Sequence, residues 1–151
     1  MNRGKVRAVV YLIDTNVISE ARKKAKANKG VSRFLQQVAE DESRMFLSVI
    51  TIGELRRGVE LIRHRGDNRQ ANQLNNWLQK ILDQYEDNIL GINQDIAQLW
   101  GRLGVPHAQN SMDKLIAATA MIYGLTVVTR NHKDFASTGV QVLNPWRDQC
   151  R

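Results

Sequence analysis

The sequence is poor in the residue types that cross-link or interrupt a chain. Among its 151 residues it has one cysteine, Cys150, and two prolines. A single cysteine can form neither an internal disulfide nor a thiolate metal site, so a reducing compartment is the simplest interpretation. The sequence also lacks a long stretch rich in Gly, Ser or Pro that would link two domains. Because domains most often have about 100–150 residues, we predict a single domain over residues 1–151.

Long apolar runs are absent as well. No run approaches the roughly 20 residues that span a bilayer, so we expect no membrane partner. The basic residues at the start of the chain resemble the charged region of a signal peptide, but the apolar stretch that follows is only Ala8 to Ile13. That is shorter than the roughly 7–15 residues of a signal core, and it ends in an aspartate. We interpret it as a first core strand and expect a cytoplasmic protein.

Negative charge is in the minority. The chain has 22 Lys and Arg against 15 Asp and Glu, a formal net charge of +7 and a sequence pI near 9.9. A positive surface favours phosphate-bearing partners such as RNA, although it also serves solubility alone. The hydrophobic share of 42% predicts a packed core and excludes a disordered chain.

Short apolar runs alternate with segments of helical spacing. The apolar runs predict strands at residues 9–13, 45–47, 89–92, 125–128 and 141–143. Helical spacing predicts helices at residues 31–39, 49–63, 69–85, 93–103 and 112–123. Ser111 is the expected N-cap of the last helix, and Gly124 its left-handed end. This alternation predicts an α/β layered domain with a mainly parallel sheet.

Four acidic residues stand where apolar segments end or change character. Asp14 ends the first apolar strand, and Asp113 lies in the first turn of the helix that leads into the strand ending at Val128. Glu54 lies in the helix after the second strand, and Asp134 follows the strand that contains Val128. Because ligands of parallel sheets bind outside the carboxyl ends of the strands, we expect the four carboxylates to share one crevice.

A cluster of carboxylates calls for a cation. Several carboxylates within a few ångströms of one another cannot all stay ionised, because each disfavours the ionisation of its neighbours. Oxygen ligands without cysteine or paired histidines favour Mg²⁺ or Mn²⁺ over zinc. In a basic protein, such a site indicates a metal-dependent enzyme that acts on a polyanion, with RNA as the favoured substrate.

Each acid also has an ordinary structural explanation. Asp14 can act only as the N-cap of a short helix, and Asp113 at a helix start is favourable for the helix dipole. Glu54 can be a solvated surface acid, and Asp134 an ordinary loop residue. The four positions together favour the metal site more strongly than any one of them does.

Five segments carry a resemblance to a known family, in the family's order and spacing. They are Leu12–Glu20 (LIDTNVISE), Leu47–Gly58 (LSVITIGELRRG), Met112–Ala120 (MDKLIAATA), Thr126–Phe135 (TVVTRNHKDF) and Val142–Trp146 (VLNPW). Together they resemble the PIN-domain ribonucleases of the VapC type, close to the FitB-like subgroup. The match covers most of the chain, and all segments in order are far more specific than any one alone.

The resemblance implies a PIN-like α/β/α fold and the toxin of a bacterial type II toxin–antitoxin pair, a Mg²⁺- or Mn²⁺-dependent endoribonuclease. In that family the positions of Asp14, Glu54 and Asp113 bind metal and are catalytic. The family also implies a homodimer and a VapB-type antitoxin whose C-terminal segment blocks the active site. Promoter DNA would then be bound only through the antitoxin complex.

The family's fourth acidic position is less uniform. Some members have an acid directly after the Thr-Arg pair, where this chain has Asn131, and others have it three residues later, at Asp134. We predict Asp134 as the fourth metal-binding and catalytic residue and Asn131 as a polar helper. The resemblance further implies that Asn16 and Thr129 orient the acids. Arg130 is a candidate for holding a substrate phosphate, although arginines at strand ends are often simply solvated.

Two rival functions follow from the same residues. One is a catalytically silent binding module that acts as the co-repressor half of an antitoxin complex. The other is a phosphotransfer domain with a strand-end aspartate as nucleophile. The second rival is weaker, because a phosphohydrolase of the haloacid type has another acid two residues later, where this chain has Asn16.

Overall fold

A computed structural model describes residues 9–147, so the predictions for Ala8 and Cys150 lie outside the described residues. The strands are β1 (Val10–Ile13), β2 (Arg44–Ser48), β3 (Ile89–Leu90), β4 (Thr126–Val128) and β5 (Val142–Leu143). The helices are α1 (Thr15–Ala21), α2 (Lys29–Glu40), α3 (Val49–His64), α4 (Asn68–Gln84), α5 (Gln94–Leu103), α6 (Ser111–Tyr123) and α7 (His132–Ala136). None of the helices in this part of the chain is both long and apolar enough to cross a membrane.

The strands form one sheet in the order β3-β2-β1-β4-β5, and every neighbouring pair is parallel. The central strand, β1, pairs Leu12 with Phe46 on one side and with Val127 on the other. Ile13 and Val128 are also partners, so β1 and β4 end side by side. The residues that follow them therefore emerge next to each other at the carboxyl edge of the sheet.

Helices cover both faces of the sheet. On one face, Ile13 belongs to a buried cluster that includes Phe34 of α2 and Leu78 of α4. On the other face, Leu12 packs in a cluster with Ile116 of α6 and with Phe135. Neighbouring residues of a strand point to opposite faces, so the short apolar strands are buried on both sides. The layered α/β/α fold with a parallel sheet confirms the prediction.

The start of α6 differs from the prediction. Ser111 is the first residue of the helix, and its N-cap is Asn110, in a left-handed conformation at φ 56° and without a side-chain cap bond. The carbonyl of Asn110 accepts the first helical hydrogen bond, from the backbone N–H of Lys114 at 2.9 Å. Asparagine tolerates this conformation better than most residues, which lets the helix begin one residue early. Gly124 ends the helix at φ 68°, as predicted.

Candidate functional site

Asp14 stands at the carboxyl end of β1 and is the N-cap of α1. Its side chain is 4% exposed and takes three hydrogen bonds. Oδ1 accepts from the backbone N–H of Thr15 at 2.8 Å. Oδ2 accepts from the hydroxyl of Thr129 at 2.7 Å and from Nδ2 of Asn16 at 3.3 Å. Asp14 therefore caps α1 and also belongs to the candidate site, two roles that were alternatives on sequence alone.

The residues predicted to orient the acids surround Asp14. The hydroxyl of Thr129 accepts from Asn16 Nδ2 at 3.2 Å and from the backbone N–H of Asn131 at 3.0 Å. Asn16 Oδ1 accepts from the backbone N–H of Arg130 at 3.0 Å. Asn131 thus supports the site through its backbone, whereas its side chain is exposed and makes no cap bond to α7.

Glu54 reaches the site from the second turn of α3. Its Oε1 accepts a hydrogen bond of 2.9 Å from the hydroxyl of Thr15, the residue directly after Asp14. Thr15 is not among the site residues predicted from the sequence. The only signal was its place beside Asp14, because a contact between residues 39 positions apart follows from the packing of α1 against α3. Thr15 therefore joins two of the predicted acids.

Asp113 and Asp134 complete the cluster. Burial and then the charges of Asp14, Asp134 and Glu54, in that order, together raise the pKa of Asp113 to about 6. The pKa of Glu54 is also raised, by burial and then by the charge of Asp14, against the lowering effect of the Thr15 hydroxyl. Burial raises the pKa of Asp14, and its three hydrogen bonds oppose that shift. The fold therefore gathers the four predicted acids into one electrostatic cluster.

The donor set of this cluster fits a hard divalent cation. All four side chains are carboxylates, and each carboxylate oxygen has two lone pairs, so Asp14 keeps acceptor capacity beyond its three hydrogen bonds. Within residues 9–147, no three Asp, Glu, His or Cys side chains already stand at the spacing of a metal site.

The PIN-domain family model matches residues 11–140. The chain belongs to the PIN-domain family. Toxin FitB of Neisseria gonorrhoeae is 34% identical over 145 residues, which cover 92% of this chain and all of FitB. The VapC ribonuclease Y4jK of Sinorhizobium fredii is 31% identical over 143 residues, which cover 91% of this chain and 98% of that protein.

A solved structure of FitAB bound to an IR36 DNA fragment has a chain with the same fold. It superposes on this PIN domain with a TM-score of 0.78 and 30% identity, covering 93% of this chain and 99% of that one. The resemblance of the five sequence segments to PIN domains is thus confirmed along almost the whole chain.

The clustered acids make the stability of the metal-free PIN domain depend on pH. Asp113 has a folded-state pKa of about 6 against an ordinary 3.8, so between these values the folded state binds more protons than the unfolded chain. The contribution to stability is therefore complete below the ordinary pKa and is lost as pH rises through about 6. We expect the urea midpoint measured in chelator to fall over this range, and to fall less in Asp113→Asn.

A matched control for this measurement is Asp95→Asn. Asp95 also lies in the first turn of a helix, α5, but it is exposed, so its removal leaves the pH dependence of the wild type. Equal pH slopes in Asp113→Asn and the wild type would contradict the prediction.

Proposed function

We propose that this PIN domain is a Mg²⁺- or Mn²⁺-dependent endoribonuclease and the toxin of a type II toxin–antitoxin pair. The observation that carries the proposal is the convergence of four acids: after burial, the charges of Asp14, Asp134 and Glu54 raise the pKa of Asp113. The similarity to Toxin FitB and to a VapC ribonuclease supports the same activity.

In this proposal, Asp14, Glu54 and Asp113 hold the cation together with Asp134 as the fourth metal-binding acid. When bound, the cation supplies positive charge that lowers the pKa of a water and neutralises the charge that develops on a scissile phosphate. Burial raises the pKa of Asp14, and the hydrogen bonds from Thr15, Asn16 and Thr129 oppose that shift and fix the orientation of the carboxylate. Their role corresponds to the outer hydrogen bonds that orient metal ligands.

In the same proposal, Arg130 holds the substrate. It follows Thr129, the residue that donates to Asp14, and its backbone is held by Asn16 Oδ1. Its side chain is exposed. A guanidinium binds phosphate oxygens through paired N–H groups, so we assign Arg130 to a phosphate next to the one that is cut.

Partners are proposed from the relatives. FitB is a toxin, and FitAB was solved on DNA. We propose a cognate VapB-type antitoxin whose C-terminal segment blocks the acids, with an antitoxin arginine in place of the cation. Promoter DNA is then bound through that complex. We also propose a homodimer, as the family resemblance implies.

The test combines metal binding with cleavage. Titration of purified protein with Mn²⁺ should give a binding isotherm in a calorimeter, and the protein should cut RNA with Mg²⁺ or Mn²⁺ but not with chelator. Asp113→Asn should lose the Mn²⁺ heat, whereas Asp95→Asn should keep it. Wild-type protein that gives no Mn²⁺ heat and cuts no RNA would support the silent binding module instead.

A further inference from the structure

A polar groove lies outside the acidic cluster, since none of the four acids lines it. It has a volume of about 460 Å³ and runs between α2 and the segment that follows β5. Lys29 and Arg33 of α2 line one wall, and Pro145, Trp146 and Arg147 line the other. We call these five residues the basic groove. In the sequence, Lys29 ends a basic run that starts at Arg22 and that either steers RNA or is only a solvated loop. The other four were not predicted as site residues, because no sequence pattern links α2 to the end of the chain.

The basic groove connects to the acids through Arg130. The guanidinium of Arg130 lies 5.3 Å from the centroid of the Trp146 ring, a cation–π contact, so its side chain reaches from the site to the groove. Glu20 links Arg130 to the start of α2, the wall that carries Lys29 and Arg33. Its Oε2 accepts from the backbone N–H of Asn28 at 2.9 Å, and its carboxylate lies within the electrostatic field of Arg130.

The charges of the groove suit a polyanion. Lys29 and Arg33 are exposed and stand one helical turn apart, and neither takes part in any ion pair among residues 9–147. Arg147 is exposed on the facing wall. The acid in the lining, Glu40, lies at the far end of α2 and accepts from Gln36. Within the lining, Lys29 and Arg33 therefore lie toward the start of α2, away from Glu40.

We propose that the basic groove binds the phosphate backbone of single-stranded RNA on one side of the scissile phosphate. The proposal rests on the ribonuclease function proposed above and adds the path that the substrate takes. Arg130 contacts the RNA strand between the acidic cluster and the groove. Lys29, Arg33 and Arg147 bind the phosphates further along the strand. A single strand fits better than a duplex, because Asp14 is buried and a stiff double helix cannot bend down to it.

The test is RNA binding without cleavage. In an Asp113→Asn background, the affinity for a labelled single-stranded RNA of about 12 nucleotides is measured by fluorescence anisotropy over a range of salt concentrations. The pair Arg33→Gln and Arg147→Gln should raise Kd about tenfold. It should also reduce the slope of log K against log salt by about 1.4, since each phosphate contact on a single strand contributes about 0.7.

The matched control is the pair Arg65→Gln and Arg69→Gln. These arginines are exposed too, at the turn between α3 and α4. Arg65 is 11 positions beyond Glu54, which places it about 16 Å away along the helix axis. Melting curves of both pairs should match that of the background protein, because all four side chains are exposed.

Three outcomes would overturn the groove proposal. The first is an unchanged Kd and salt slope in the groove pair, and the second is an equal loss in the control pair. The third is weaker binding of an acidic antitoxin segment with unchanged RNA binding, which would assign the groove to the antitoxin. Cleavage and Mn²⁺ binding are measured separately, so a failure of the groove leaves the proposed function standing. If the wild-type protein neither cuts RNA nor binds Mn²⁺, but Arg33→Gln with Arg147→Gln still weakens RNA binding, only the proposed function is contradicted.

Discussion

Replacement of Asp14 by Asn should lower the rate of RNA cleavage about a thousandfold or more while the fold stays intact. A neutral amide is a weaker ligand for a divalent cation than a carboxylate. Loss of the charge stabilisation that a metal gives costs several kcal/mol in the transition state. The fold should survive because Asn is as good an N-cap as Asp. The amide oxygen can still accept from the backbone N–H of Thr15, as Oδ1 does now.

The amide also disturbs the orienting hydrogen bonds. In Asp14→Asn an NH₂ group replaces Oδ2, which now accepts from Thr129 and from Nδ2 of Asn16. The Thr129 hydroxyl already accepts from Asn16 and from the backbone N–H of Asn131, so it has no lone pair left for the new NH₂ group, and two amide NH₂ groups cannot bond to each other. The remaining metal ligands therefore lose a fixed neighbour as well as a charge.

A matched control shows whether the loss comes from chemistry or from capping. Asp67 is the N-cap of α4, and its side chain accepts from the backbone N–H of Gln70 at 3.1 Å. Asp67→Asn makes the same substitution at the same kind of position, but in the α3–α4 turn. It should cleave RNA at the wild-type rate. Single-turnover cleavage and urea unfolding on both variants make the comparison, and an Asp14→Asn protein that keeps a tenth of wild-type activity would contradict the metal-site assignment.

Much of the fold could be predicted because its signals are local. The apolar strands β1 and β4 are buried on both faces, and that burial alone makes their sequences continuous apolar runs. The edge strands β3 and β5 have two residues each, so their exact extent depends on pairing with a neighbour and not on their own sequence. The short helix α7 was missed for a related reason: its five residues are too few to show a helical period.

The site was predictable to the extent that it lies at strand ends. Asp14 and Thr129 follow strands that pair in register, and an apolar run that ends in a polar residue is visible in sequence. The approach of Glu54 and Asp134 to Asp14 could not be predicted, because it depends on how α3 and α7 pack against the sheet. At Asn131 the backbone N–H donates to Thr129 while the side chain faces solvent. Which of the two supports the site depends on side-chain rotation and could not be predicted from sequence.

Gly30 shows most clearly what packing adds to sequence. It lies in the first turn of α2, where its backbone N–H donates to the N-cap side chain of Asn28 at 2.8 Å. In a helix an alanine is normally more stable than a glycine, by about 1 kcal/mol. Here a Cβ would lie 2.0 Å from the carbonyl oxygen of Pro145 and 3.1 Å from Asn28 Oδ1. The glycine is therefore required by the close approach of the two walls of the basic groove.

We expect Gly30→Ala to lower the free energy of unfolding, against the helix-propensity trend. The Cβ meets backbone, so α2 or the 145–147 segment has to shift, and overpacking of this kind costs about 1–3 kcal/mol. Urea unfolding measures the loss. Because Pro145 is followed by Trp146, which holds Arg130, the same shift should weaken RNA binding in the anisotropy assay.

The control is the same substitution at Gly58, in the middle of α3, where a new Cβ meets no atom within 4 Å. Gly58→Ala should stabilise the protein by about 0.5–1 kcal/mol, because only the conformational entropy of the unfolded chain changes. The two variants differ in position alone, so opposite signs isolate the contact between Gly30 and Pro145. A stabilised Gly30→Ala protein would mean that α2 and the end of the chain do not meet this closely, and the basic groove would lose the contact that forms its floor.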